Sequence, residues 1–232
     1  MVNLTKHPII LSLELSQRDG TVSMSNRDGA ESTKTVHTSS RGADTVFPTI
    51  SKLAEELSIS PRSIELVAVS IGPGGFTGLR TSVAIAKMIS FASGATVVPV
   101  ETAIVTVASS SENKKAYFVL SGVKQDSFWL SKVYKNNNSW CCTASISSVT
   151  ELKNIITEVD GVFADSFAPD SISDICAHGG IALCTSLPNA KSLLDVGVQL
   201  HDNGASIDPM KLSPLYPREP EAVRAWNALH KK

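Results

Sequence analysis

The chain's chemical possibilities concentrate in Gly72-Pro73-Gly74-Gly75-Phe76-Thr77-Gly78-Leu79-Arg80. Glycines at this spacing turn the backbone tightly and expose bare amides, and a helix starting here would offer its N-terminus to a phosphate. Thr77 can cap that helix, and Gly78 lets a second backbone approach. The same glycines suit a plain strand-to-helix turn with no ligand. The stretch is not a Walker A loop, which needs a Lys followed by Ser or Thr. Nor is it a dinucleotide fingerprint, because Thr77 stands where the third glycine belongs. In a nucleotide-binding reading, Gly72, Gly74 and Gly75 would meet the phosphates of ATP or ADP, and Glu14 or Asp126 would stand near magnesium. Glu14 is otherwise one polar member of an alternating strand, and Asp19 belongs to Asp19-Gly20, a hairpin dipeptide.

Other reactive residue types are scattered. His7, His37, His178, His201 and His230 lie too far apart for a local zinc motif, and H-E-x-x-H is absent. The four cysteines include adjacent Cys141 and Cys142 but no C-x-x-C, so they read as free thiols. We therefore expect no metal site and no peptidase site. Lys plus Arg number 21 against 22 Asp plus Glu, a net charge of −1 that lacks the basic footprint of an autonomous nucleic-acid binder. No run approaches the roughly 20 apolar residues of a membrane span, and Met1 to Pro8 has no signal-peptide core, which sets the expectation of a cytoplasmic protein.

These residues need elements to position them. With 232 residues, 42% of them hydrophobic, the chain can build one large domain or two small ones. Ile9 to Leu15, Thr21 to Ser25 and Thr33 to His37 read as a three-stranded antiparallel meander, turned at Asp19-Gly20 and Asp28-Gly29. Val46, Ile50, Leu53, Ala54 and Leu57 recur at helical spacing over residues 44–57. Leu66 to Ile71 suits a buried strand before the glycine loop, a helix runs from Leu79 to Ala92, and Ala95 to Val100 is a further strand. The second half repeats the order. Tyr117 to Leu120, Phe128 to Tyr134 and Ser139 to Ser145 form three strands, followed by helices near 148–159, 170 and 189–201 and strands near Val162 and 181–184. The fold class is α/β, a duplicated unit with a boundary in the polar run at 109–115. This gives an N-terminal subdomain, 1–108, and a C-terminal one, 109–232.

The glycine loop closely matches the G-P-G-S-F-T-G-x-R signature of the TsaB (YeaZ) family. That family is the non-catalytic, glycoprotease-like subunit of the bacterial machinery for tRNA threonylcarbamoyladenosine. The resemblance continues in Phe47-Pro48, in Val98-Pro99-Val100-Glu101-Thr102, and in Pro214-Leu215-Tyr216-Pro217-Arg218 with Ala225-Trp226. It implies two ribonuclease-H-like (actin-like, ASKHA) subdomains, each a mixed sheet with an antiparallel three-strand meander plus helices. The sequence departs from the family at Leu13-Glu14-Leu15-Ser16, where an I-D-T-A strand end is common. It also departs at Gly42, where a His is usual, and at Ser121-Gly122-Val123 with Asp126-Ser127-Phe128.

The resemblance implies no chemistry in the chain itself. A TsaD-like partner would carry the transfer, and a TsaE-like ATPase would join with ATP or ADP and magnesium. The tRNA would be met only through the complex, with a homodimer when the chain is alone. The docking surface would be the helix over 44–57 and the helix after the loop, with interface residues Ile50, Leu53, Gly78, Ser82, Ile85, Ala86 and Ile89. The alternatives are a diverged actin-like ATPase or kinase and a structural homodimer. A helix apolar nearly all round can equally pack both faces inside its own chain.

Overall fold

Strand β1 (Ile10–Glu14) runs through the centre of the first of two five-stranded sheets. The computed structural model describes residues 7–37, 43–110, 115–124, 126–137, 139–165, 168–216, 226 and 229–230. Gly42, Pro217, Arg218, Ala225 and most of the polar run expected at the boundary lie outside the described residues. β1 pairs antiparallel with β2 (Asp19–Ser25), which pairs antiparallel with β3 (Glu31–His37), completing the expected meander.

The turn expected at Asp19-Gly20 is corrected. The chain bends at residues 16–18, and Asp19 already opens β2 opposite His37. Gly20 serves contact rather than turning, since a Cβ there would stand 2.6 Å from Leu15 Cδ2. Asp28-Gly29 does form a turn: Gly29 has φ +80°, and the Asn26 carboxamide oxygen accepts the Asp28 and Ala30 N–H groups at 3.0 Å each.

Helix α1 (Ala43–Glu56) leads through a short 3-10 turn at Pro61–Ser63 into β4 (Leu66–Gly72). Helix α2 (Phe76–Ser93) follows the glycine loop and returns the chain to β5 (Thr96–Glu101). β4 lies parallel to both β1 and β5, so the sheet order is β3-β2-β1-β4-β5. Pro99 fits because β5 borders the sheet, and Ile207 meets its outer side in an antiparallel bridge with Val97.

A helix that sequence reasoning missed, α3 (Thr102–Ala108), comes next. Its β-branched residues resemble a continuing strand. Thr102 to Val107 are all buried where α3 meets strands of both sheets, and that packing overrides local preference.

The second sheet repeats the first. β6 (Ala116–Lys124), β7 (Ser127–Asn136) and β8 (Ser139–Ser148) form an antiparallel meander. Helix α4 (Val149–Ile155), β9 (Gly161–Ala164), α5 (Asp170–Gly179) and β10 (Ala182–Thr185) follow, in sheet order β10-β9-β6-β7-β8. Reversed, this is the order of the first sheet, with the opening strand central and two parallel strands added beside it. The duplicated actin-like architecture is thus present.

The last helix, α6 (Ala190–Asp202), crosses back and lies on β1, β2, β4 and β5 of the first sheet. Leu193, Leu194 and Val196 join Ile10, Leu66, Ala68 and Val98 in one core cluster. Gly197 sets the close spacing, for a Cβ there would come within 2.4 Å of the Ala68 Cβ. Ordering of residues 209–216 completes the return, and the Leu215 N–H donates to the Ile71 carbonyl at 2.7 Å. The first sheet ends at Glu101 and the second begins at Ala116, while α6 packs mainly on the first and reaches Tyr117, Val119 and Val133 of the second.

Candidate functional site

The glycine loop is pressed against the end of β1. The Gly75 N–H donates to the Ser16 carbonyl at 2.7 Å. A Cβ on Gly74 would stand 2.6 Å from the Ser16 Cβ, and one on Gly78 would stand 1.9 Å from the Leu15 carbonyl oxygen. Gly72 is buried, with φ +111°, and a Cβ there would lie 2.9 Å from the Leu215 carbonyl oxygen. Each glycine therefore answers a close approach of protein to protein. The helix also starts earlier than expected: Gly75 is the residue before its first turn, and Thr77 lies inside it rather than capping it.

Glu14 ends strand β1 and is buried, with 1% of its surface accessible. Its Oε1 accepts the Ser16 N–H at 2.8 Å, and its Oε2 is buried without a hydrogen-bond partner. Burial pushes the carboxyl pKa above its ordinary 4.5 and outweighs the opposing influence of the nearby Ser16 and Ser70. Glu14 thus fixes Ser16, and Ser16 in turn holds Gly75. It does not line the cleft beyond the loop, so the expectation that it faces a nucleotide phosphate or magnesium is corrected.

That cleft, about 260 Å³, opens between the two sheets. Ser16, Gln17, Gly74 and Gly75 line one side, and Leu120, Ser121, Gly122, Asp165 and Ser186 line the other. It sits at the carboxyl ends of β1, β4, β6, β9 and β10, where open α/β sheets commonly receive ligands. Of the two glycines that the loop presents here, the Gly75 amide is already taken by Ser16. Asp165 is the carboxylate among its described lining residues. Asp126, the other expected carboxylate, lies in the exposed β6–β7 turn and not in the cleft; its carbonyl accepts the Val149 N–H at 3.2 Å. Among the described residues, no three His, Cys, Asp or Glu side chains gather as metal ligands. Cys142 donates to Glu101 Oε2 at 3.2 Å, and burial together with this carboxylate pushes its thiol pKa upward, so it is a poor nucleophile.

The apolar helix α2 carries two stripes of identical spacing. Gly78, Ser82, Ile85 and Ala86 are buried against the first sheet, together with Leu53 of α1. These residues were expected at an interface and are instead sealed in the chain's own core, because Gly78 draws the helix onto Leu15. A second stripe, Ala84, Met88, Phe91 and Ala92, about 120° round the helix, is exposed, with Phe91 at 95% and Met88 at 58%. Phe47 of α1 is 47% exposed, and a groove of about 250 Å³ runs between the two helices. Two of the expected interface residues, Ile50 and Ile89, form its floor. The outward stripe was readable at i, i+4, i+7 and i+8, but its spacing equals that of the buried one. Beyond the N-terminal end of α2, Phe76 stacks on Tyr216 with centroids 5.3 Å apart, and the Arg80 guanidinium lies 5.0 Å from the Phe76 ring.

The two sheets of matching order define the actin-like class of two-lobed proteins. The family model described as TsaD, tRNA N6-adenosine threonylcarbamoyltransferase, matches residues 37–168, more than half of the chain. The chain belongs to this TsaD, glycoprotease-like family. Among solved structures, a Pseudomonas aeruginosa protein described as similar to the peptidase YeaZ superposes with a TM-score of 0.72 at 16% identity, covering 91% of this chain and all 100% of that one. YeaZ from Pseudomonas aeruginosa gives 0.68 at 16% identity, covering 90% and 100%. These likenesses establish the fold. Among the described residues, no helix is long and apolar enough to cross a membrane.

Proposed function

We propose that this chain is a non-catalytic, TsaB-like subunit. Its α1–α2 face docks a TsaD-like protein and supports that partner's transfer of a threonylcarbamoyl group to tRNA adenosine. The observation that carries the reading is the apolar stripe of Ala84, Met88, Phe91 and Ala92 beside Phe47, above a groove floored by Ile50 and Ile89. Contiguous exposed apolar surface of this kind marks protein interaction sites, and aromatic anchors carry much of the binding energy at such sites. Membership in the threonylcarbamoyltransferase family supplies the reaction to which the docking belongs. In this reading the TsaE-like ATPase, with ATP or ADP and magnesium, acts on the complex, tRNA is reached through the complex, and the same face supports a homodimer when the chain is alone.

Co-purification with the host's TsaD-like protein tests it. The wild-type chain should recover that partner. Phe91→Glu or Met88→Arg should weaken recovery about 30-fold or more, the loss of a hot spot worth about 2 kcal/mol. Both residues are well exposed, so the variants should melt like the wild type. Failure of the wild type to recover the partner, or undiminished recovery by both variants, would overturn the reading.

A further inference from the structure

Positive charge borders helix α2 on both sides. At about 100° per residue, Met88 and Ala92 look into the groove towards α1, Ala84 and Phe91 form the crest, and Arg80 and Lys87 lie just beyond the crest on the far side. Arg62, from the 3-10 turn Pro61–Ser63, lines the groove itself beside Met88, Ile89 and Ala92. A second such turn, Pro209–Lys211, also packs against α2 and adds the exposed Lys211.

Among the described residues, no carboxylate pairs with these four cations. Helix α2 contains no Asp or Glu. The ion pairs of Arg27 with Glu65, Lys34 with Glu56, Lys132 with Glu158 and Lys191 with Glu31 involve neither α2 nor the two turns. In the adjoining elements Glu56 is held by Lys34, and Asp208 accepts the Met210 N–H at 2.9 Å, which leaves Glu55 of α1. A chain with 21 cationic and 22 anionic residues therefore gathers unpaired cations round this one apolar stripe.

We infer that the partner surface covering α2 is acidic, with an apolar centre seated on Met88 and Phe91 and carboxylates along both borders. This rests on the docking proposed above and adds the chemistry of what docks. Desolvation carries the argument. Any surface that fills the groove takes the Arg62 guanidinium out of water, and a buried charge left without a partner opposes binding strongly. An Asp or Glu opposite Arg62 removes that cost. Carboxylates facing Arg80 and Lys87 do the same at the rim and speed the encounter. A protein fits better than a nucleic acid, because the cations stand round an apolar centre, the layout of a protein interface, and follow no track of phosphates.

Affinity for the host's purified TsaD-like protein, measured by biolayer interferometry in about 50 and about 500 mM salt, tests the inference. Wild-type affinity should fall about tenfold or more at high salt, mainly through slower association. Arg62→Glu and Lys87→Glu should each weaken low-salt binding about tenfold, and Arg62→Gln and Lys87→Gln should each lose less than the reversal. Lys153→Glu, on α4, changes the net charge equally and should leave affinity in place. Carbodiimide, which joins an amine to an adjacent carboxylate, should link Lys87 or Lys211 to an Asp or Glu of the partner, read by mass spectrometry. Binding that ignores salt and both reversals, an equal loss from Lys153→Glu, or crosslinks that reach no partner carboxylate would each overturn the inference and leave the docking reading standing. A wild type that binds no partner would remove both. Tight tRNA binding by the lone chain, lost in the same reversals while partner affinity holds, would also overturn it. Unchanged melting curves for Arg62→Glu and Lys87→Glu separate lost charge from lost folding.

Discussion

Glu14 illustrates how far residue type alone can mislead. A carboxylate at the end of an early strand suggests a metal or phosphate role, yet here the side chain is sealed beneath Ser16 and holds the turn against which the glycine loop rests. Because burial raises its pKa in the folded state, the folded chain holds more protons than the unfolded one between the two pKa values. Stability therefore falls as pH rises from about 4.5 through the folded-state pKa, and it stays reduced above that. Glu14→Gln keeps an acceptor for the Ser16 N–H without an ionisable group. Its melting temperature should exceed that of the wild type at neutral pH, and the gain should shrink towards pH 4.5. Thermal melts of both proteins across this range check it, and a gain that does not vary with pH would assign Glu14 a different role. A glance at alternation placed Glu14 on a strand correctly. It could not show burial, which arises when α2 and the glycine loop close over the strand end.

Helix α2 is the element on which the fold and the proposed docking both depend. Its Cβ-free position at Gly78 brings it against β1, so Gly78→Ala must move either the helix or Leu15. Overpacking of this kind costs about 3 kcal/mol, which should lower Tm by about 6–12 °C in a chain of this size. Calorimetry measures this directly, and a change under about 2 °C would show that the helix has room to shift. The meander, α1, the glycine loop, α2 and most elements of the second half were legible from periodicity and turn chemistry. Helix α3 was not, since Thr102, Ile104, Val105, Thr106 and Val107 favour a strand until two sheets enclose them. The residues of the proposed docking face were half legible. Two equally apolar stripes on α2 satisfy the same period, and only the contact at Gly78 decides which one turns inward.

At the scale of the whole molecule, the chain crosses between its halves twice, once through α3 and once before α6. Sequence pattern revealed the duplication but not this return, because α6 has an ordinary amphipathic pattern that could cover either sheet. Residues 1–110 alone would leave Ile10, Leu66, Ala68, Val98 and Val100 without the leucines and valine of α6. Expressed alone, that fragment should be insoluble or lack a cooperative thermal transition. Co-expression with residues 115–232 should restore a soluble complex. A soluble, cooperatively melting 1–110 fragment would show that the first sheet is self-sufficient.

The late return of α6 also bears on biosynthesis. Nearly ninety residues separate the end of β5 from the start of α6, and at about 5–20 residues per second a ribosome needs about 5–20 s to make them. Throughout that interval the nascent first sheet has a bare greasy side, so the newborn polypeptide presents a surface for holdase chaperones before its own C-terminal portion emerges to displace them.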